Sequence, residues 1–204
     1  MMRDQDGYAR ISSHKSSAVT PKRQRGVDRV EKILTAAAEI FAESGYEATT
    51  MSAIAVRSST AVGSLYRFFP DKKALAIEVL ERFAVAQRER LDALCMRDDT
   101  RDPAGLADAL LADAFQPDRL RQAASMLIDI RDDASSYRAA FQAEFCAHLA
   151  PLLCRVASLG EETARYRAVM VLHLMKLAHP FSQRTDGQRV SEELRRALRR
   201  VIAP

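Results

Sequence analysis

The sequence predicts an all-α protein, and three observations predict it. Apolar residues recur at helical spacing in one segment after another, beginning with Val30, Ile33, Leu34, Ala37, Ile40 and Phe41. Alanine, leucine and arginine dominate, while only 7 glycines and 7 prolines occur in 204 residues, a composition that favours helix over sheet. No segment alternates apolar and polar residues as a half-buried strand does. With 48% hydrophobic residues the chain can bury a core, and its length suits one large or two small domains.

Residues 1–26 read as a polar basic arm without periodicity, ending in PKRQRG. The first helix is expected at about 28–44. Asp28 with Glu31 three residues on suggests a capping box, and Gly45 stands where a helix stops. Thr50 suits the N-cap of a short helix at about 51–57, with Ile54 and Ala55 facing inward. A third short helix is expected at about 61–68, closed by Pro70, and Asp71 can cap the next. Ala76, Val79, Leu80, Phe83, Ala84, Gln87, Leu91 and Leu94 define a long helix to about residue 96. Five more follow, at about 103–115, 117–132, 136–157, 161–183 and 188–202. Pro117 is expected in a first helical turn. Pro151 and Pro180 are expected to kink or interrupt their helices, because each removes a backbone donor.

The net charge is +4, and all of it lies early. Through Leu75 there are 12 Lys/Arg against 8 Asp/Glu; from Ala76 onward there are 19 of each. A polyanion partner for the first third follows, with a basic tail as the simpler source of part of the excess. Cys95, Cys146 and Cys154 form no CxxC pair and no metal spacing, and read as reduced, buried thiols. No apolar run reaches the length of a bilayer span, and the first residues carry no apolar signal core, so a cytoplasmic protein is expected. His14, His148, His173 and His179 are scattered, no glycine-rich phosphate loop occurs, and no catalytic set emerges. Asp129, Asp132 and Asp133 read as a solvated helix end rather than a metal site. No enzyme activity and no cofactor are expected.

The stretch Met51–Asp71, MSAIAVRSSTAVGSLYRFFPD, carries the function. Two short helices joined by a tight turn form a helix-turn-helix, whose second helix can enter a DNA major groove. Its leading residues Thr60, Ala61, Val62, Gly63 and Ser64 are small, so the backbone can come close to base edges. Leu65, Phe68 and Phe69 can anchor it from behind. The Tyr66 hydroxyl can donate to a phosphate oxygen. Thr50 and Lys72 stand at helix N-termini, where anions are favoured.

These residues resemble the N-terminal signature of the TetR family of bacterial transcription regulators. GYEATTMSAIA followed by GSLYRFFPDKKAL carries the likeness. It rests on Gly45, the pair Thr49 and Thr50, Ile54, Ala55, Gly63, Ser64, Leu65, Tyr66, Phe69, Lys72 and Leu75, over about 28–76. The family usually has Ala-Gly and then Val-Ser at the turn, where this chain has Ser58, Ser59, Thr60 and Ala61. Ser59 must then take the left-handed conformation, at a cost of about 1 kcal/mol. Ala61 cannot cap the third helix, although Thr60 could if that helix started earlier.

The resemblance implies a domain division of 1–26 arm, 27–74 DNA-binding unit and 75–204 ligand-binding and dimerisation body. It implies a repressor that binds a palindromic operator as a homodimer and is released by a small-molecule effector. Residues expected at the DNA are Thr49, Thr50, Thr60, Ala61, Val62, Gly63, Ser64, Tyr66, Arg67 and Lys72. The arm offers Lys22, Arg23 and Arg25 to a minor groove. The dimer contact is expected on the last two helices, through Tyr166, Met170, His173, Leu177 and Phe181 and through Val190, Leu194, Ala197, Leu198 and Val201. Phe83, Met126, Phe141, Phe145, His148, Met170 and His173 are candidates for the effector pocket. The alternative is a helical interaction protein of the same framework that has lost operator recognition.

Overall fold

The computed structural model describes residues 24–132, 134–182 and 185–204. Among them all regular structure is helical: α1 Gln24–Ala48, α2 Met51–Arg57, α3 Val62–Phe68, α4 Lys72–Met96, α5 Pro103–Phe115, α6 Arg119–Leu127, α7 Ala134–Ala157, α8 Glu161–Ser182 and α9 Gly187–Ile202. Short 3-10 turns occupy Asp98–Thr100 and Ile128–Ile130. The all-α expectation holds. Of the arm expected over 1–26, residues 1–23, with Lys22 and Arg23, lie outside the described residues, while Gln24, Arg25 and Gly26 are not arm but the first turn of α1.

Local chemistry sets most boundaries. Gly45 has φ 74° and ψ 176°, which breaks the helical path of α1 and leaves Tyr46–Ala48 as a separate turn. A side chain there would meet nothing within 4 Å, so the dihedral, not crowding, calls for glycine. Thr50 caps α2, its Oγ1 accepting from the Ala53 N–H at 3.1 Å. Asp71 Oδ1 accepts from the Ala74 N–H at 2.7 Å at the start of α4. Asp102 Oδ1 accepts from Ala104 and Gly105 at 2.9 and 3.0 Å, with Pro103 opening α5.

Five expectations are corrected. α1 begins at Gln24 rather than Asp28. Asp28 is not a cap; its carboxylate accepts from the Gln24 side-chain amide at 2.9 Å, one turn earlier on the helix. Pro117 lies outside α6. Asp118 is the cap instead, its Oδ1 accepting from Leu120 and Arg121 at 3.0 and 3.2 Å, which satisfies two donors that proline could not serve. α7 continues through Pro151. Pro151 and Ala147 are both exposed, so water can meet the carbonyl left without a donor. The helical backbone of α8 likewise runs through Pro180 to Ser182.

The chain forms two compact units. The first holds the described residues through Val85, with Asp118–Arg138. Its core joins Ile33, Leu34, Ala37 and Phe41 of α1, Ile54 and Ala55 of α2, Leu65 and Phe68 of α3, Leu75, Val79 and Leu80 of α4, and Ala123, Ala124 and Leu127 of α6. α6 packs along α1, a closure that no motif announces. Arg131 is buried beside Glu81 at 3.2 Å and lies over the Tyr137 ring at 4.3 Å from its centroid. The Tyr137 hydroxyl donates to the Leu80 carbonyl at 3.0 Å.

The second unit holds Ala86–Pro117 and Ala139–Pro204. Leu91 and Leu94 of α4 pack with Leu106, Leu110 and Leu111 of α5, Phe145, Leu149 and Leu153 of α7, Val171 and Leu172 of α8, and Leu194, Leu198 and Ile202 of α9. The three cysteines are free, and burial pushes the Cys95 and Cys146 thiols up. No described helix is long and apolar enough to cross a membrane.

At Gly105 the backbone of the preceding turn comes very close. A Cβ added there would fall 1.9 Å from the Asp99 carbonyl oxygen. Gly105→Ala therefore forces the 3-10 turn and α5 apart, and thermal denaturation is expected to show a loss of about 1–3 kcal/mol. An unchanged melting temperature would contradict this packing.

Candidate nucleic-acid interface

The turn between α2 and α3 is built from backbone bonds. The Ser58 N–H donates to the Ile54 carbonyl at 2.9 Å and the Thr60 N–H to the Ala55 carbonyl at 2.9 Å. Ser58 is buried and its hydroxyl donates to the Ala55 carbonyl at 3.3 Å. Between them Ser59 takes φ 51°, the left-handed conformation expected from the sequence. The Thr60 hydroxyl donates back to the Ser58 carbonyl at 3.3 Å, so it does not cap α3. α3 starts at Val62 behind Ala61, which offers no side-chain acceptor.

α3 has two faces of opposite character. Leu65, Phe68 and Phe69 are 0%, 5% and 1% exposed and sit in the core of the first unit. Val62 and Tyr66 are 42% and 49% exposed on the other side, beside exposed Ala61, Gly63 and Arg67. The Arg67 guanidinium rests 5.3 Å from the Phe68 ring centroid. Gly63 is the informative residue. It has no positive φ, and a side chain there would meet nothing within 4 Å. Glycine inside a helix costs about 1 kcal/mol relative to alanine. Among the described residues nothing crowds the position in a way that offsets that cost.

The supporting residues sit behind this tip. Thr49 is buried, and its hydroxyl donates to the Gly45 carbonyl at 2.6 Å. Thr50 is exposed and occupied as a cap. The Lys72 ammonium donates to the carbonyls of Tyr46, Thr49 and Glu47 at 2.6, 3.0 and 3.3 Å, which matches its three donors. It also lies over the Tyr46 ring, 4.2 Å from the centroid. Burial raises the Tyr46 phenol above its ordinary range, so the ring stays neutral. In this conformation Lys72 pins the turn after Gly45. Thr49 and Lys72 thus hold α2 in place, while Thr50, Ala61, Val62, Gly63, Tyr66 and Arg67 are exposed and Thr60 and Ser64 half-buried.

Arg57 ties α2 to α1, at 3.1 Å from Glu39 and 3.0 Å from Glu43. Its guanidinium holds the Glu43 carboxyl below the usual range. Sequence reading passed over one further neighbour of α3. Arg29 Nη1 lies 3.4 Å from Ser64 Oγ, placing α1 against the leading turn of α3. The signal was present in the spacing of Arg25, Arg29 and Lys32, which share one helical face.

The residues expected at a dimer contact divide. Tyr166, Met170, His173 and Leu177 form an exposed stripe on α8. Leu194 and Leu198 are buried within the second unit, and Val190, Ala197 and Val201 are half-buried there. The side chain of Phe181 lies outside the described residues. Of the expected pocket residues, Phe83 and Met126 belong to the first unit, while Phe141, Phe145 and His148 share a face of α7 in the second. Phe145 is core, and Met126, Met170 and His173 are exposed.

Comparison with known proteins agrees with this geometry. Residues 33–79 match the family described as bacterial regulatory proteins, tetR family. Over 66 residues the chain is 44% identical to the HTH-type transcriptional repressor KstR of Mycolicibacterium smegmatis, covering 32% of this chain and 30% of that protein. Over 119 residues it is 30% identical to the HTH-type transcriptional activator FasR of the same organism, covering 58% and 48%. The chain thus spans about a third to a half of the length of these curated relatives. Its fold is shared with a TetR-family transcriptional regulator from Streptomyces coelicolor, at TM-score 0.66 and 18% identity over 86% of this chain and 95% of that one. It is also shared with GusR of Salmonella enterica, at TM-score 0.62 and 18% identity over 89% and 97%.

The left-handed Ser59 yields a direct test. Ser59→Gly removes the penalty on a Cβ at φ 51° and is expected to raise stability by about 1 kcal/mol in chemical denaturation. A neutral or destabilising result would mean that the hydroxyl or the Cβ is engaged in the folded turn.

Proposed function

We propose that this chain, whose residues 33–79 match the tetR family of bacterial regulatory proteins, is a transcriptional repressor of that type that binds a palindromic DNA operator as a homodimer and is released by a small molecule. The observation that carries the DNA reading is the bare tip of α3: Gly63 unsupported by any internal need, flanked by exposed Val62 and Tyr66. A helix with such a tip can lie in a major groove with its backbone near the base edges. Val62, Gly63 and Ser64 then meet bases, and Tyr66 and the exposed cations meet phosphates, which fix register without reading sequence.

The exposed α8 stripe of Tyr166, Met170, His173 and Leu177 supports self-association, because its three large hydrophobic side chains, Tyr166, Met170 and Leu177, gain by being covered. A homodimeric reader of this kind is expected to meet two half-sites about one helical turn apart. The aromatic face of α7, with Phe141, Phe145 and His148, supports an apolar or amphipathic effector bound in the second unit. Such a ligand releases DNA only if it prefers the conformation that does not fit the operator. A cytoplasmic location fits this role.

Selection of bound duplexes from random DNA is expected to return a two-fold symmetric sequence, and Tyr66→Ala to weaken binding to all duplexes alike. Failure to enrich any sequence, with no binding at low salt, would overturn the reading. Gly63→Ala offers an independent check with opposite signs. It is expected to stabilise the fold by up to about 1 kcal/mol while weakening operator binding at least several-fold. If it stabilises and binding is untouched, α3 does not approach the groove at Gly63.

A further inference from the structure

We propose that Arg25, Arg29 and Lys32 form a second phosphodiester-binding ridge, on α1, that holds the DNA backbone beside the groove entered by α3. This rests on the reading of α3 as the helix that faces DNA. The three side chains follow one another at spacings of four and three, so they share one face of α1, and all three are exposed. They line an open groove of about 690 Å³ whose opposite wall is Arg57, Ser58, Ser59 and Thr60, the turn that leads into α3. The Arg29 hydrogen bond to Ser64 makes the ridge continuous with the leading turn of α3.

The charge pattern separates these three from most other cations of the first unit, Arg67, which lies against the Phe68 ring, and Arg119, which donates to Gln122, being likewise without a carboxylate partner among the described residues. Arg57 is paired with Glu39 and Glu43, Arg82 with Glu31, Lys73 with Asp132 and Arg131 with Glu81. Lys72 is bound to three carbonyls. Among the described residues Arg25, Arg29 and Lys32 have no such ion pair. The groove also holds Asp28, Glu31 and Glu39. Glu31 pairs with Arg82, Glu39 shares Arg57 with Glu43, and Asp28 keeps its charge beside the neutral Gln24 amide, so the five cations Arg25, Arg29, Lys32, Arg57 and Arg82 stand against the four carboxylates Asp28, Glu31, Glu39 and Glu43. The uncompensated charge facing out of the groove is therefore positive. Guanidinium groups pair with phosphate oxygens through two parallel donors, and the ammonium adds a point charge. No base edge is involved, so the ridge adds affinity to any duplex rather than preference for one.

The test is the salt dependence of binding. Affinity for a mixed-sequence duplex several helical turns long is measured by fluorescence anisotropy across a salt series. Wild type, Arg25→Gln, Arg29→Gln, Lys32→Gln, the triple Gln variant and Arg29→Lys are compared, with thermal melts as folding controls. Glutamine keeps the helix, and the replaced side chains are exposed, so native melts are expected. The slope of log affinity against log salt is expected to shrink by about 0.9 for each phosphate that the variant no longer neutralises, and Arg29→Lys to keep the wild-type slope. A triple variant with the wild-type slope overturns the ridge, while Tyr66→Ala still weakening the same duplex leaves the α3 reading standing. Weaker binding by Arg29→Gln at unchanged slope, not restored by Arg29→Lys, also overturns it, because Arg29 then only orients Ser64. No binding of wild type at low salt overturns the ridge and the α3 reading together.

Discussion

A seven-residue helix does not hold itself together in water, since its few internal hydrogen bonds do not offset the entropy of nucleation. α3 is such a helix, and it lacks a side-chain cap at its start. What keeps it folded is the burial of Leu65, Phe68 and Phe69. Each such side chain contributes about 1.5–3 kcal/mol on leaving water. The rest of the first unit can be understood as the socket for these three residues: α1 and α2 on one side, the first turns of α4 and α6 completing it. The anchor also frees the opposite face, which can then be chosen for a partner rather than for stability.

Ion pairing divides the basic residues of this unit by role. Arg57 and Lys72 fix the two ends of α2, one to carboxylates of α1 and the other to carbonyls after Gly45. Exposed pairs of this kind contribute little stability each, but they set angles between helices. Charge that is internally compensated has little left for a polyanion. The positive excess of the first third of the chain thus resolves into cations that position helices and a smaller set open to an outside anion.

Much of this unit was legible in the sequence because its punctuation is local. Gly45, Thr50 and Asp71 act through their own backbone or within one helical turn, and the boundaries of α2 and α5 follow from such signals. The left-handed Ser59 and the uncapped Ala61 could be inferred for the same reason. Features that depend on distant partners were not legible. Lys72 stands at a helix N-terminus, where an anion contact is the natural inference, yet its carbonyl partners lie 23 to 26 residues earlier. Thr49 and Thr50 are neighbours of one residue type, and only the packing decides that one faces inward. The recruitment of α6 onto α1 has no local signature. Pro151 misleads because its effect depends on whether its face of α7 is wet.

The central claim is that the outward face of α3, slim at Gly63 and braced from behind by Leu65, Phe68 and Phe69, is what meets DNA. Amide hydrogen exchange with and without a bound duplex tests it most directly. Protection on binding is expected to concentrate in Thr60–Arg67, with the amides of α5 and α9 unchanged. Protection confined to the second unit, with Thr60–Arg67 exchanging at the same rate in both states, would contradict it.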